Sequence, residues 1–135
     1  MPTTATIHTL ENGLTLIIEP MRDVQSAAFS FLVPGGSLHD PAGQNGTAAI
    51  LSDLMLRGAG SLDSRQLTAT LDNLGLQRGE SVGVKHLGFS GATVADRLPE
   101  ALTVYGDILK NPHLPPDQFD ASRDGLEMTL HAMQD

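Results

Sequence analysis

Cysteine and tryptophan are missing from this chain, and its aromatic complement is one tyrosine and four phenylalanines. Without thiols there can be no disulfide, no thiolate-held metal and no cysteine nucleophile. Cations are scarce too: 8 Lys and Arg stand against 16 Asp and Glu, a formal net charge of -8. The basic residues, Arg22, Arg57, Arg65, Arg78, Lys85, Arg97, Lys110 and Arg123, are never adjacent. No cluster can neutralise a run of phosphates, which excludes nucleic acid as a partner. No apolar run approaches the roughly 20 residues that span a bilayer, so no membrane segment is expected. The opening MPTTATIHTL has neither the basic leader nor the apolar centre of a secretory signal. The expectation is a cytoplasmic protein, or a periplasmic or organellar one whose leader has been removed. At 135 residues the chain is expected to make a single domain, 1–135, with a real core.

Turn signals divide the chain into short elements. Residues 6–10 and 14–19 flank Glu11-Asn12-Gly13, and Asn-Gly between apolar runs marks a hairpin. Residues 27–33 read as a third strand, stopped by Pro34-Gly35-Gly36. A helix over GTAAILSDLMLRG, 46–58, comes next. A second has Ser64 as N-cap, Leu67, Leu71 and Leu74 on one face, and Gly75 at its close. Residues 76–78 and 82–94 look extended, with Gly79, Gly83, Gly88 and Gly91 marking bulges or close packing. Asp96 can cap a third helix with the stripe Leu98, Leu102, Tyr105 and Leu109, stopped at Asn111-Pro112. The last helix starts near Pro116 and is expected to turn Phe119, Leu126, Leu130 and Met133 inward. Hairpins mixed with helices make this an α+β fold, mostly antiparallel sheet with packed helices.

Few residues offer chemistry. There is no GxSxG elbow for a serine hydrolase and no Gly-Lys-Ser/Thr for a phosphate loop. His8, His86, His113 and His131 are isolated and read as surface or packing residues. His39-Asp40, in a glycine-rich turn, reads first as Asp-Pro turn chemistry.

The 46–58 helix stands out. Ala48, Ala49, Ile50, Leu51, Leu54, Met55 and Leu56 make it apolar on nearly every side, so it should be buried. Ser52 and Asp53 interrupt it and need partners or a role. Ala49 and Asp53, four apart, share a face with Ser52 beside them.

Several ordered segments resemble the pitrilysin/insulinase-type zinc peptidases, the inverted zincins: TLENGLTLIIEP, FLVPGGSLHDPAGQNGTA, DLMLRGAG and RLPEALTVYGDILKNPHLPPDQF. The resemblance implies a pitrilysin-like half-domain, of which these residues are an N-terminal part. It implies His, Glu and His at the places of Ala49, Ser52 and Asp53, where two imidazoles hold zinc and the Glu activates water. Ala49 has no donor atom, and Ser52 has no basicity near neutral pH. The family's third ligand, a Glu, would fall at or beside Thr129. Glu127 and His131 stand two residues away, about 200 degrees round a helix. The expectation is therefore no catalytic residue, no metal and no cofactor.

The family's peptide-binding edge strand corresponds to Gln77, Arg78, Gly79, Glu80 and Ser81. Main-chain pairing is indifferent to side chains, so this edge could hold an extended peptide without cutting it. An edge blunted by Arg78 and Glu80 against unwanted pairing is the equal alternative. The function implied is a non-catalytic subunit or domain serving an active pitrilysin-like partner, or the second half of a longer chain. Two alternatives stay open: a divergent zinc peptidase using Asp53 with His39 or Glu127, and a structural subunit like the core proteins of respiratory complexes. Missing elements of a half-unit are expected to leave an exposed apolar face that invites association.

Overall fold

The computed structural model describes residues 4–134. Two short strands, β1 (Thr6–Thr9) and β2 (Thr15–Ile18), form an antiparallel hairpin. Gly13 takes a positive φ of 86°, and the Asn12 side-chain oxygen accepts from the Leu14 N–H, which is the chemistry the Asn-Gly pair predicts. The principal sheet is antiparallel, with β3 (Ser26–Pro34) at one edge, β7 (His86–Val94) in the centre and β6 (Gln77–Val82) at the other edge. A small ladder, β4 (Gly58–Ala59) with β5 (Leu62–Asp63), joins α1 (Thr47–Met55) to α2 (Ser64–Asn73). Two longer helices, α3 (Leu98–Lys110) and α4 (Phe119–Ala132), complete the fold.

The core lies between one face of the sheet and helices α2 and α3. Leu67, Leu71 and Leu74 meet Leu87 and Phe89 of β7 and Ala101, Val104, Tyr105 and Ile108 of α3. Tyr105 is its aromatic centre, edge-on to Phe29 at 4.8 Å and stacked on Phe31 at 6.3 Å. These are offset and T-shaped arrangements that aromatic quadrupoles favour. Gly91 keeps this packing possible, because a Cβ there would stand 2.6 Å from the Phe29 ring.

The structure shifts several sequence expectations. The 82–94 stretch is not one strand: it turns at Gly83, whose N–H donates to the His86 carbonyl, so β6 extends to Val82 and β7 begins at His86. The strand glycines mark close packing rather than bulges, since the register of β6 on β7 is unbroken. Asp63, not Ser64, caps α2 in a reciprocal capping box with Gln66. Asp96 does not cap α3, which instead grows out of a 3₁₀ turn with Pro99 in its first turn. The buried stripe of α3 runs through Ala101, Val104, Tyr105 and Ile108, while Leu102 is exposed. That helix is rotated about one residue from the expected orientation, with the small Ala101 fully buried on its inward face.

The largest departure is in α4. Phe119, Leu130 and Met133 are exposed and Leu126 is half-buried, so the inward face that periodicity predicts is left uncovered by the described residues. The helix's one buried residue is Ser122. Ile7, Ile17, Leu16 and Ile18 of the hairpin are exposed as well. Apolar surface on this scale is what the resemblance to part of a larger unit leads one to expect.

Candidate functional site

The segment that enters α1 is built around Asp40. Its two carboxylate oxygens accept from the backbone N–H groups of Gly46, at 2.9 Å, and Ala48, at 2.8 Å. Gly46, at the N-cap position, sits at φ 96° and has no side chain to serve as a cap, so the carboxylate arrives from six residues upstream. An anion at the first turn satisfies orphan N–H donors and complements the helix dipole. This is the role of His39-Asp40: the Asp is a helix cap, and His39 is exposed in the 3₁₀ turn beside it. Asp40→Ala is expected to lower stability by about 1–2 kcal/mol, read as a reduced urea midpoint at unchanged m-value.

Within α1, Ala48, Ser52, Leu54 and Met55 are buried, and Ala49, Ile50, Leu51 and Asp53 are half-buried. The near-continuous apolar surface predicted for this helix is accounted for, since it packs against α4 on one side and β6 on another. Asp53 is engaged. Its Oδ2 accepts from Arg57 Nε at 2.7 Å and from Ser122 Oγ at 2.5 Å. Arg57 also donates through Nη1 to Gln118 Oε1 at 3.4 Å. The last turn of α1 is thereby tied to the start of α4. Ser122 is only 2% exposed, so its hydroxyl depends on that carboxylate as a partner. Among the described residues no fully buried side-chain polar atom lacks a partner.

Sequence reasoning missed Ser122 and Gln118. Arg57 was missed as well, although it stands four residues after Asp53 on the same helix face, and no local pattern announces a serine 69 residues away on another helix. Thr129 is exposed, and its hydroxyl donates to the Gly125 carbonyl one turn back. By helix geometry Thr129 lies two turns beyond Ser122 on the same face, whereas Glu127 lies about 140 degrees round from Ser122 and His131 about opposite. Glu127 is therefore turned away from the side of α4 on which Ser122 meets Asp53. His113 packs between elements, its Nε2 2.7 Å from the Gly60 carbonyl and its backbone N–H donating to Gly58. Gln77, Arg78, Gly79, Glu80 and Ser81 all fall in β6, at the edge of the principal sheet. Arg78 pairs with Asp72 of α2 at 3.2 Å.

A three-stranded antiparallel sheet with packed helices, among them a glycine-led helix beside its edge strand, makes this an α+β fold. The sequence pattern described as Insulinase (Peptidase family M16) matches residues 16–135, and the chain belongs to that family. Among similar proteins is the mitochondrial-processing peptidase subunit beta of Lentinula edodes, 26% identical over 118 residues, which are 87% of this chain and 25% of that protein. An uncharacterized zinc protease of Rickettsia bellii is 24% identical over 105 residues, 78% of this chain and 26% of that protein. The chain thus spans about a quarter of the length of these relatives. Crystalline pitrilysin superposes with a TM-score of 0.86 at 22% identity, covering 95% of this chain and 14% of pitrilysin. A peptidase M16 inactive domain from Pseudomonas fluorescens superposes with a TM-score of 0.76 at 16% identity, covering 85% of this chain and 28% of that one.

The family implies zinc at α1, and the residues present do not fit it. Ala49 contributes no donor, Ser52 contributes a neutral hydroxyl, and one oxygen of Asp53 already accepts two hydrogen bonds. A zinc site takes three protein ligands besides its open position. Among the described residues no group of three or more His, Cys, Asp or Glu could hold a metal ion.

Proposed function

We propose that residues 1–135 form an N-terminal, non-catalytic part of an M16 half-unit, contributing scaffold and a peptide-holding edge to an active M16 partner or to a second half on a longer chain. The observation that carries this reading is the state of Asp53. It is the one residue of the three motif positions able to bind a metal, and it is occupied in fastening α1 to α4 through Arg57 and Ser122. A carboxylate held by a guanidinium and a buried hydroxyl has a structural task that a metal would have to displace.

The edge strand supports the peptide-holding half of the proposal. β6 presents one row of main-chain groups unpaired among the described strands, and α1 packs beside it. An extended peptide could add there by main-chain bonds alone. The purified chain is expected to hold no stoichiometric zinc and to cleave no peptide. Metal analysis by mass spectrometry checks the first point, and one tightly held zinc per chain would overturn the proposal. The family's inactive domain from Pseudomonas fluorescens is precedent for a domain of this fold without activity.

A further inference from the structure

Two of the chain's four asparagines, Asn12 and Asn45, are followed by glycine, and in both pairs the asparagine is exposed in a turn. Asparagine is thermolabile, and this pairing makes it most so: with no Cβ on the next residue, the glycine nitrogen can swing against the side-chain carbonyl carbon. The other two asparagines lack that opening. Asn111 precedes Pro112, which has no N–H to give up. The Leu74 nitrogen after Asn73 donates to the Thr70 carbonyl in the helical ladder.

The two glycine nitrogens are held differently. The Gly13 N–H donates to a neutral acceptor, the Leu10 carbonyl, at 2.9 Å. The Gly46 N–H donates at 2.9 Å to the Asp40 carboxylate, and a charge-assisted bond of this kind is roughly twice as strong as a neutral one. A nitrogen that attacks must also shed its proton, and a carboxylate beside it disfavours the anion that results. At Asn12 the acceptor end is prepared as well. The Leu14 N–H donates to Asn12 Oδ1 at 3.1 Å, where it stabilises the negative charge that this oxygen takes up as the nitrogen adds.

We propose that Asn12 is a site of spontaneous modification and that Asp40 shields Asn45 from the same reaction. The Gly13 nitrogen gives its proton to solvent base and bonds to Asn12 Cγ. The Cγ–Nδ2 bond breaks, and the side-chain nitrogen takes a proton from solvent and leaves as ammonia. Water then opens the cyclic imide at either carbonyl. Breaking the new bond at Cγ gives aspartate in a normal backbone, whereas breaking the original peptide bond gives isoaspartate, whose backbone is longer by a carbon. Both products add negative charge to a chain already at -8. Isoaspartate also lengthens the turn that sets the pairing of Thr9 with Thr15 in the hairpin. At Asn45 the same change would fall just ahead of the N-cap of α1. The carboxylate that caps this helix therefore also preserves the backbone leading into it.

The test is peptide mapping by mass spectrometry of the full 135-residue chain after incubation in mildly alkaline buffer at physiological temperature. Asn12 is expected to convert to both products roughly ten times faster than Asn45, the factor that one charge-assisted hydrogen bond supplies. Equal rates, or a faster Asn45, overturn the proposal. In urea the two rates are expected to converge, and a ratio that persists there traces the difference to neighbours in sequence and overturns it. Asp40→Ala is expected to raise the rate at Asn45 roughly tenfold and to leave Asn12 unchanged; no acceleration at Asn45 overturns the shielding. Asp53→Ala, destabilised to a similar degree but with Asp40 in place, separates shielding from general loosening. It is expected to leave Asn45 slow, and an acceleration equal to that of Asp40→Ala overturns the assignment. Should Asp40→Ala fail to fold, Asp40→Asn keeps an acceptor without the charge and is expected to speed Asn45, and a rate there as slow as in the wild type overturns it.

Discussion

Replacing Tyr105 by alanine is expected to cost about 3–5 kcal/mol of stability, the range for deleting a large buried aromatic. The ring is fully buried, and it joins both aromatic partners from β3 to the helix that covers them. Its removal leaves Phe29 and Phe31 facing a void that neighbouring side chains can only partly close. A domain of this size has about 5–15 kcal/mol in total, so Tyr105→Ala stands near the limit of folding. Urea unfolding followed by circular dichroism measures the loss. Tyr105→Phe is the control, since it removes only a long 3.5 Å hydrogen bond to the Ser90 carbonyl and should cost less than about 1 kcal/mol. The same pair of variants separates a pH effect. Burial pushes the Tyr105 hydroxyl above its ordinary value of 10.0, the nearby Glu80 adds to the rise, and Arg78 opposes it. The unfolded chain gives up this proton near pH 10 and the folded chain only at higher pH, so in that window the native state binds more protons. Stability due to this group is therefore intact below pH 10 and falls as pH rises past it. Tyr105→Phe should flatten that fall, and a wild-type decline unchanged by the substitution would show that another group is responsible.

The second large effect is expected at Asp53. Asp53→Ala should destabilise by about 2 kcal/mol, mostly because the buried Ser122 hydroxyl is left without its acceptor. The ion pair with Arg57 adds little, because both side chains are partly solvated, at 28% and 40% exposure. Asp53→Asn retains an acceptor oxygen for Ser122 and should lose less than half as much. The comparison discriminates between roles: a structural tie predicts alanine worse than asparagine in thermal melts, with metal content the same in all three proteins. Equal stability of the alanine variant and the wild type would remove the main support for reading Asp53 as a fastening.

How far the sequence carries these conclusions can be judged element by element. The hairpin at Asn12-Gly13, the stop at Pro34-Gly35-Gly36, the second helix and its glycine end were all legible, because each depends on turn chemistry written into adjacent residues. The edge strand expected over Gln77 to Ser81 falls within β6, Gln77–Val82, though the turn at Gly83 that separates it from β7 was not foreseen. What local pattern could not supply was orientation. Leu102 is as apolar as Val104 and Ile108, yet it is exposed while they are buried with Ala101 and Tyr105, and hydrophobicity alone does not say which stripe of α3 turns inward. In α4 the periodicity of Leu126, Leu130 and Met133 signals a buried face, but that face has no cover among the described residues. At the candidate site the residue types at Ala49, Ser52 and Asp53 were plain from the start. Their surroundings were not, since the cap from Asp40 and the partner Ser122 both act across a distance in sequence.

That separation also bears on how the chain acquires and loses its structure. The contact between Asp53 and Ser122 joins residues 69 positions apart and closes about half the chain into one loop. Closing so long a loop early would sacrifice chain entropy with little return. It becomes favourable once the intervening sheet and α3 have shortened the path. α4 is therefore expected to dock last among the helices and to open first, and limited proteolysis of the native protein should cut its exposed C-terminal turns before any other helix.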